Sequence, residues 1–235
     1  MKIEIWSDVV CPFCYIGKRH FEAALAQFTG KNKIEIEWKS FQLDSQYQHN
    51  EQESTDQTAR LAKKYNRPYE EMKAMQQNII NTASTVGLDM KLFDAIQFNT
   101  LKAHRIIQKA KEKNLGDKAE ETFFKSYFTD LKNLNNDAVL EEISLNIGLT
   151  KEDINDALTN DIYAFKVTQD IQEAQQIGVT GVPFFVFNRK YGISGAQPIE
   201  VFTQTLNQSF EEWENSSPKV TIQKGENSCD IDGNC

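Results

Sequence analysis

Apolar and polar positions alternate at the start of the chain, in Ile3-Glu4-Ile5-Trp6, and this period of two predicts a strand over Lys2–Trp6. The period then lengthens. From Cys14 the apolar residues fall at Ile16, Phe21, Ala24, Leu25 and Phe28, a helical spacing that predicts a helix over Cys14–Phe28. A polar turn, Thr29-Gly30-Lys31-Asn32-Lys33, leads into a second strand over Ile34–Trp38, which makes a βαβ opening. Beyond Phe41-Gln42-Leu43-Asp44 the strand signal disappears. Helical runs follow, broken at Asn66-Arg67-Pro68, Gly87-Leu88-Asp89, Asn114-Leu115-Gly116 and Gly148-Leu149-Thr150. A turn at Gly181-Val182-Pro183 then enters the continuous apolar run Phe184–Phe187, which pairs across Asn188-Arg189-Lys190 with Tyr191–Ser194. A last helix, Ile199–Trp213, precedes a polar tail. The expected organisation is an α/β fold in two parts, 1–44 and 161–215, with an all-helical insertion at 45–160 and a flexible tail at 216–235.

Between the first strand and the first helix stands Cys11-Pro12-Phe13-Cys14. Two thiols three positions apart at a strand-to-helix junction are the pattern of a redox dithiol. The unsatisfied N–H groups of a helix's first turn favour an anion, and such positions bring a cysteine from about 8.5 to roughly 3.5–7.5. Cys11 is therefore the expected nucleophile, and Cys14, one turn further in, the expected resolving thiol. CxxC also opens zinc knuckles. A structural zinc needs four ligands, however, and the other two cysteines, Cys229 and Cys235, lie at the far end of the chain, while His20, His49 and His104 show no paired spacing. No metal is expected.

Three segments taken together, Cys11-Pro12-Phe13-Cys14-Tyr15, Gly181-Val182-Pro183 and Gly192-Ile193-Ser194-Gly195-Ala196-Gln197-Pro198, resemble the DsbA family of thiol–disulfide oxidoreductases. The match spans nearly the whole chain. It is strongest toward the family's cytoplasmic, FrnE-like branch, which Asn99-Thr100-Leu101-Lys102-Ala103-His104-Arg105 also resembles. The resemblance implies a thioredoxin fold with the helical insertion, and a cis-proline at Pro183 facing the dithiol. It further implies disulfide exchange, or isomerisation, with protein or small-thiol substrates, possible glutathione use and no external cofactor. Val182 and Pro183 would hold the substrate chain, and Tyr15 is a candidate for the substrate groove. A glutathione-dependent isomerase or transferase of the related kappa type is the alternative enzyme, although that group generally carries serine at the nucleophile position. A redox-controlled chaperone or binding module that uses an apolar groove of the helical part is the non-enzymatic alternative.

Composition sets limits on these readings. At 235 residues the chain is long enough to bury a core without disulfide staples. A net charge of −8 with no basic cluster excludes a phosphate-binding surface, so no nucleic acid is expected. The first residues run directly into a strand with no leader pattern, and no apolar stretch reaches membrane-spanning length, so a soluble cytoplasmic protein is expected. In that reducing compartment a CxxC is more plausibly catalytic than structural. His20 lies nine positions beyond Cys11, about half a turn out of phase at 100° per residue, and is expected to face away from it. His104 is expected to pack or to hydrogen-bond between the two parts of the fold, and Trp6, Phe184 and Phe185 to be core. In the tail, Cys229 and Cys235 flank Asp-Ile-Asp-Gly-Asn, whose spacing does not match a calcium loop. They read either as a second redox pair or as incidental cysteines.

Overall fold

The computed structural model describes residues 1–48 and 56–216. The first strand, β1 (Lys2–Ser7), is followed by helix α1 (Pro12–Gln27) and strand β2 (Glu35–Ser40). Seven helices come next: α2 (Gln57–Tyr65), α3 (Tyr69–Thr85), α4 (Leu101–Glu112), α5 (Gly116–Phe128), α6 (Asp137–Ile147), α7 (Lys151–Thr159) and α8 (Asp161–Gln176). The hairpin of β3 (Phe184–Phe187) and β4 (Tyr191–Ser194) and the final helix α9 (Ile199–Ser216) complete the fold. No helix among the described residues is long and apolar enough to cross a membrane.

The strands form one sheet in the order β2-β1-β3-β4, with β1 parallel to β2 and antiparallel to β3. Ile5 is opposite Trp38 on one side and Phe185 on the other, so β1 is central and its run of buried residues needs no polar face. The helix breaks follow local chemistry. Asn66 takes the left-handed conformation after α2 (φ 50°), and Gly148 does so after α6 (φ 110°). At α7, Thr150 and Asp153 cap each other reciprocally. The expected break points all separate helices here. The first helix begins two residues earlier than its apolar spacing suggested, because Pro12 at its first position has no N–H to lose and a backbone angle already suited to a helix.

Helix α1 has two buried faces. Phe21 and Ala24 join Ile3, Phe185 and Phe202 in the core between the sheet and α9. Cys14, Tyr15 and Ile16 instead belong to the core of the helical part, with Phe124 and Phe128. Tyr15 stacks on Phe124 at 4.9 Å between ring centres. One glycine in α1 has a packing reason: a Cβ on Gly17 would lie 3.1 Å from Pro183 Cγ and 3.4 Å from Phe185 Cζ.

Candidate active site

Strand β1 ends in Ser7, and the turn Asp8-Val9-Val10 delivers Cys11 to the N-cap of α1, where the Cys11 N–H donates to the Asp8 carbonyl at 2.9 Å. The first turn of α1 contains no acidic residue, and no side chain caps it. Cys11 and Cys14 are both free thiols. The Cys11 thiol donates to the carbonyl of Val182 at 3.4 Å, and Val182-Pro183 is a cis peptide, as the family resemblance implied. The structure thus brings four of the expected residues, Cys11, Cys14, Val182 and Pro183, into one place. Cys11 is itself 4 % exposed, more covered than a helix-end nucleophile read from sequence would suggest, because Val182 lies against it.

The two thiols differ in their surroundings. Cys11 lines a cavity of about 410 Å³ that runs between α2, α3 and the Val182 turn. Cys14 does not reach it and is sealed in the interior. Burial pushes the Cys14 thiol well above its ordinary range, and the adjacent Cys11 sulfur pushes the same way. The Asp8 backbone and the Ser7 hydroxyl beside the sulfur oppose this without reversing it.

Behind Cys14 is a buried polar group that the sequence did not reveal. Ser7 Oγ donates to Glu120 Oε2 at 3.4 Å, so Ser7 stands between the thiol and a carboxyl group on α5. Burial raises Glu120 to about 7, Asp8 adds to the rise, and His104 and Lys18 offset part of it. His104, fully buried, contacts Asp8 through Nε2 at 3.3 Å, which is the expected hydrogen bond between the two parts of the fold. Its burial alone would lower it, but the carboxylates of Asp8, Glu120 and Asp170 leave it raised. His104 Nδ1 is fully sealed from solvent and has no hydrogen-bond partner among the described residues.

The other expected site residues lie elsewhere. The Tyr15 hydroxyl donates to Glu121 at 2.7 Å and its ring packs on α5, so it ties α1 to the helical part and does not line the cavity. His20 bonds the Gln197 carbonyl at 2.8 Å, away from the dithiol. Cys229 and Cys235 lie outside the described residues. Only one signal could have pointed to the buried group: Ser7-Asp8, two adjacent polar residues between the apolar Ile5-Trp6 and Val9-Val10 just ahead of the CxxC.

A model of the DSBA-like thioredoxin domain matches residues 2–207. The chain belongs to that family. Among relatives of this DsbA-like protein is the uncharacterized YwbO of Bacillus subtilis, 26 % identical over 211 residues that cover 87 % of this chain and 95 % of YwbO. A solved structure described as a probable DsbA oxidoreductase from Streptomyces coelicolor is 36 % identical. It covers 99 % of this chain and 97 % of its own, with a TM-score of 0.84. The cytosolic disulfide reductase DsbM of Pseudomonas aeruginosa shares the fold at 14 % identity, covering 90 % of this chain and 100 % of its own, with a TM-score of 0.64.

Proposed function

We propose that this DsbA-like protein is a thiol–disulfide oxidoreductase in which Cys11 exchanges with substrate and Cys14 resolves the mixed disulfide. The observation that carries the reading is the asymmetry of the pair. Cys11 faces the cavity and Val182, while Cys14 sits one helical turn deeper and out of reach. A substrate sulfur has access to the first thiol only. In the reductive direction the Cys11 thiolate attacks the substrate disulfide, whose S–S bond breaks as one substrate thiolate leaves. Cys14 then gives up its proton and displaces the second thiolate, which closes the Cys11–Cys14 bond and leaves the substrate with two more electrons.

A thiol held protonated needs an acceptor at that second step. Ser7 and Glu120, which titrates near 7, supply one within the interior. Val182 and Pro183 offer a backbone edge beside Cys11 on which an extended substrate can lie. The partners proposed are protein disulfides and glutathione; DsbM, which shares the fold, has also been solved with GSH. The compartment proposed is the cytosol, where a glutathione poise of about −220 to −320 mV favours the reduced dithiol and hence reduction or isomerisation.

The test is insulin-disulfide reduction with single cysteine variants. Cys11→Ser should abolish it, whereas Cys14→Ser should accumulate a mixed disulfide through Cys11, visible by intact-protein mass. A mixed disulfide trapped on Cys14 in the Cys11→Ser protein would overturn the assignment.

A further inference from the structure

Building on the oxidoreductase reading, we propose that the cavity in front of Cys11 selects a small apolar thiol or disulfide carrying an anionic group, which Arg60 and Tyr127 hold. At about 410 Å³ the cavity is in the range of small-ligand sites. Met72 and Leu92 line its wall. Four large apolar side chains at its edge are unusually open for a soluble surface: Phe13 is 44 % exposed, Leu43 41 %, Tyr65 56 % and Met75 40 %. Such walls suit an aryl or alkyl body.

The anionic requirement comes from two groups that the fold leaves unused. Among the described residues three cations line the cavity, and two of them, Lys64 and Arg67, are paired with Asp44 and Glu71. Arg60 has no carboxylate partner among the described residues. Its Nε donates to Gln57 Oε1 at 3.0 Å and its Nη2 to Gln97 Oε1 at 2.9 Å, so two glutamines hold the guanidinium in position without neutralising it. Tyr127 is 2 % exposed, lines the same cavity within the electrostatic reach of Arg60, and its hydroxyl makes no hydrogen bond among the described residues. A carboxylate takes two N–H donors from a guanidinium and a third hydrogen bond from a phenol. Cys11 lines the same cavity, so a molecule held there by its anion shares that space with the thiol.

The probe is dithiobis-nitrobenzoate, a symmetric aryl disulfide with a carboxylate on each ring, used in excess over the fully reduced protein. Each reacting molecule gains two electrons and releases two aryl thiolates as the Cys11–Cys14 bond closes. The release rate should saturate with probe concentration, and sulfur-free nitrobenzoate should compete. The selectivity over uncharged dithiodipyridine, with each rate divided by that of a free small thiol, should fall about tenfold or more in Arg60→Gln and be partly restored in Arg60→Lys. Loss of one charge-assisted hydrogen bond is an effect of that size. Tyr127→Phe should lower it severalfold. A strictly linear rate without competition in the wild-type protein, or unchanged selectivity in folded Arg60→Gln, would overturn the proposal. Calorimetric titration of nitrobenzoate into Cys11→Ser reports on the cavity alone, so binding there without disulfide exchange in the wild type would leave the cavity assignment standing and remove the oxidoreductase reading instead.

Discussion

Glu120 and Glu121 follow one another on α5, and their carboxyl groups titrate far apart. Burial raises Glu120 to about 7. Burial would raise Glu121 as well, but hydrogen bonds from Arg19 and Tyr15 and the nearby Lys18 charge take it down to about 2. The consequence for stability has opposite signs. The raised Glu120 contributes most below its ordinary value near 4.5, and that contribution is lost as pH rises through 7, where a charge must remain buried. The difference between 4.5 and 7 corresponds to roughly 3 kcal/mol. Glu120→Gln should therefore gain stability relative to wild type on going from near pH 5 to near pH 8, by up to roughly 3 kcal/mol in urea denaturation. An equal difference at the two pH values would refute this. The dithiol and Pro183 were legible in the sequence because each carries its signal within a few positions. Glu120 was not: in a helix it reads as one of two surface acids, and only its contact with Ser7, far away in the chain, makes it interior.

Helix α1 shows what an element-level reading can and cannot supply. Its apolar spacing located the helix, and Pro12 accounts for its earlier start. The spacing did not reveal that the helix divides its buried residues between two cores, because residues that meet different partners look alike in one sequence. Gly17 marks where that shared helix packs against the turn that holds Pro183, with Pro183 Cγ 3.1 Å from where a Cβ would sit. Two further methyl groups have no room there. Gly17→Val should cost about 1–3 kcal/mol by overpacking and displace Pro183, slowing insulin reduction as well as lowering the melting temperature. A variant with wild-type turnover would show that Pro183 can move without consequence. The breaks between the inserted helices were legible for a simpler reason: Asn66, Gly148 and the Thr150 cap end or start helices by local chemistry that needs no tertiary partner.

At the scale of the molecule, the sheet and the inserted helices cooperate in closing off one sulfur. Asp8 and Ser7 come from the sheet side and Phe124 and Phe128 from the helical side, and all enclose the region around Cys14. Neither part would bury it alone, which is why a reading that split the chain into segments could name the thiol without describing its environment. Enclosure makes the couple an exchanger of protons as well as electrons. With its thiol held well above the ordinary range, Cys14 takes up a full proton whenever the pair is reduced anywhere near neutrality, and returns it on oxidation. One proton per two electrons makes the midpoint potential fall by about 30 mV for each unit rise in pH, before any contribution from Cys11. Equilibration with glutathione buffers between about pH 6 and pH 8 should give a slope at least that steep, and a flatter one would mean that Cys14 ionises in the folded protein. Local acidity would then set the potential: against a partner couple that exchanges no protons, the oxidised protein draws electrons more strongly in acid, and the reduced protein gives them up more readily in alkali.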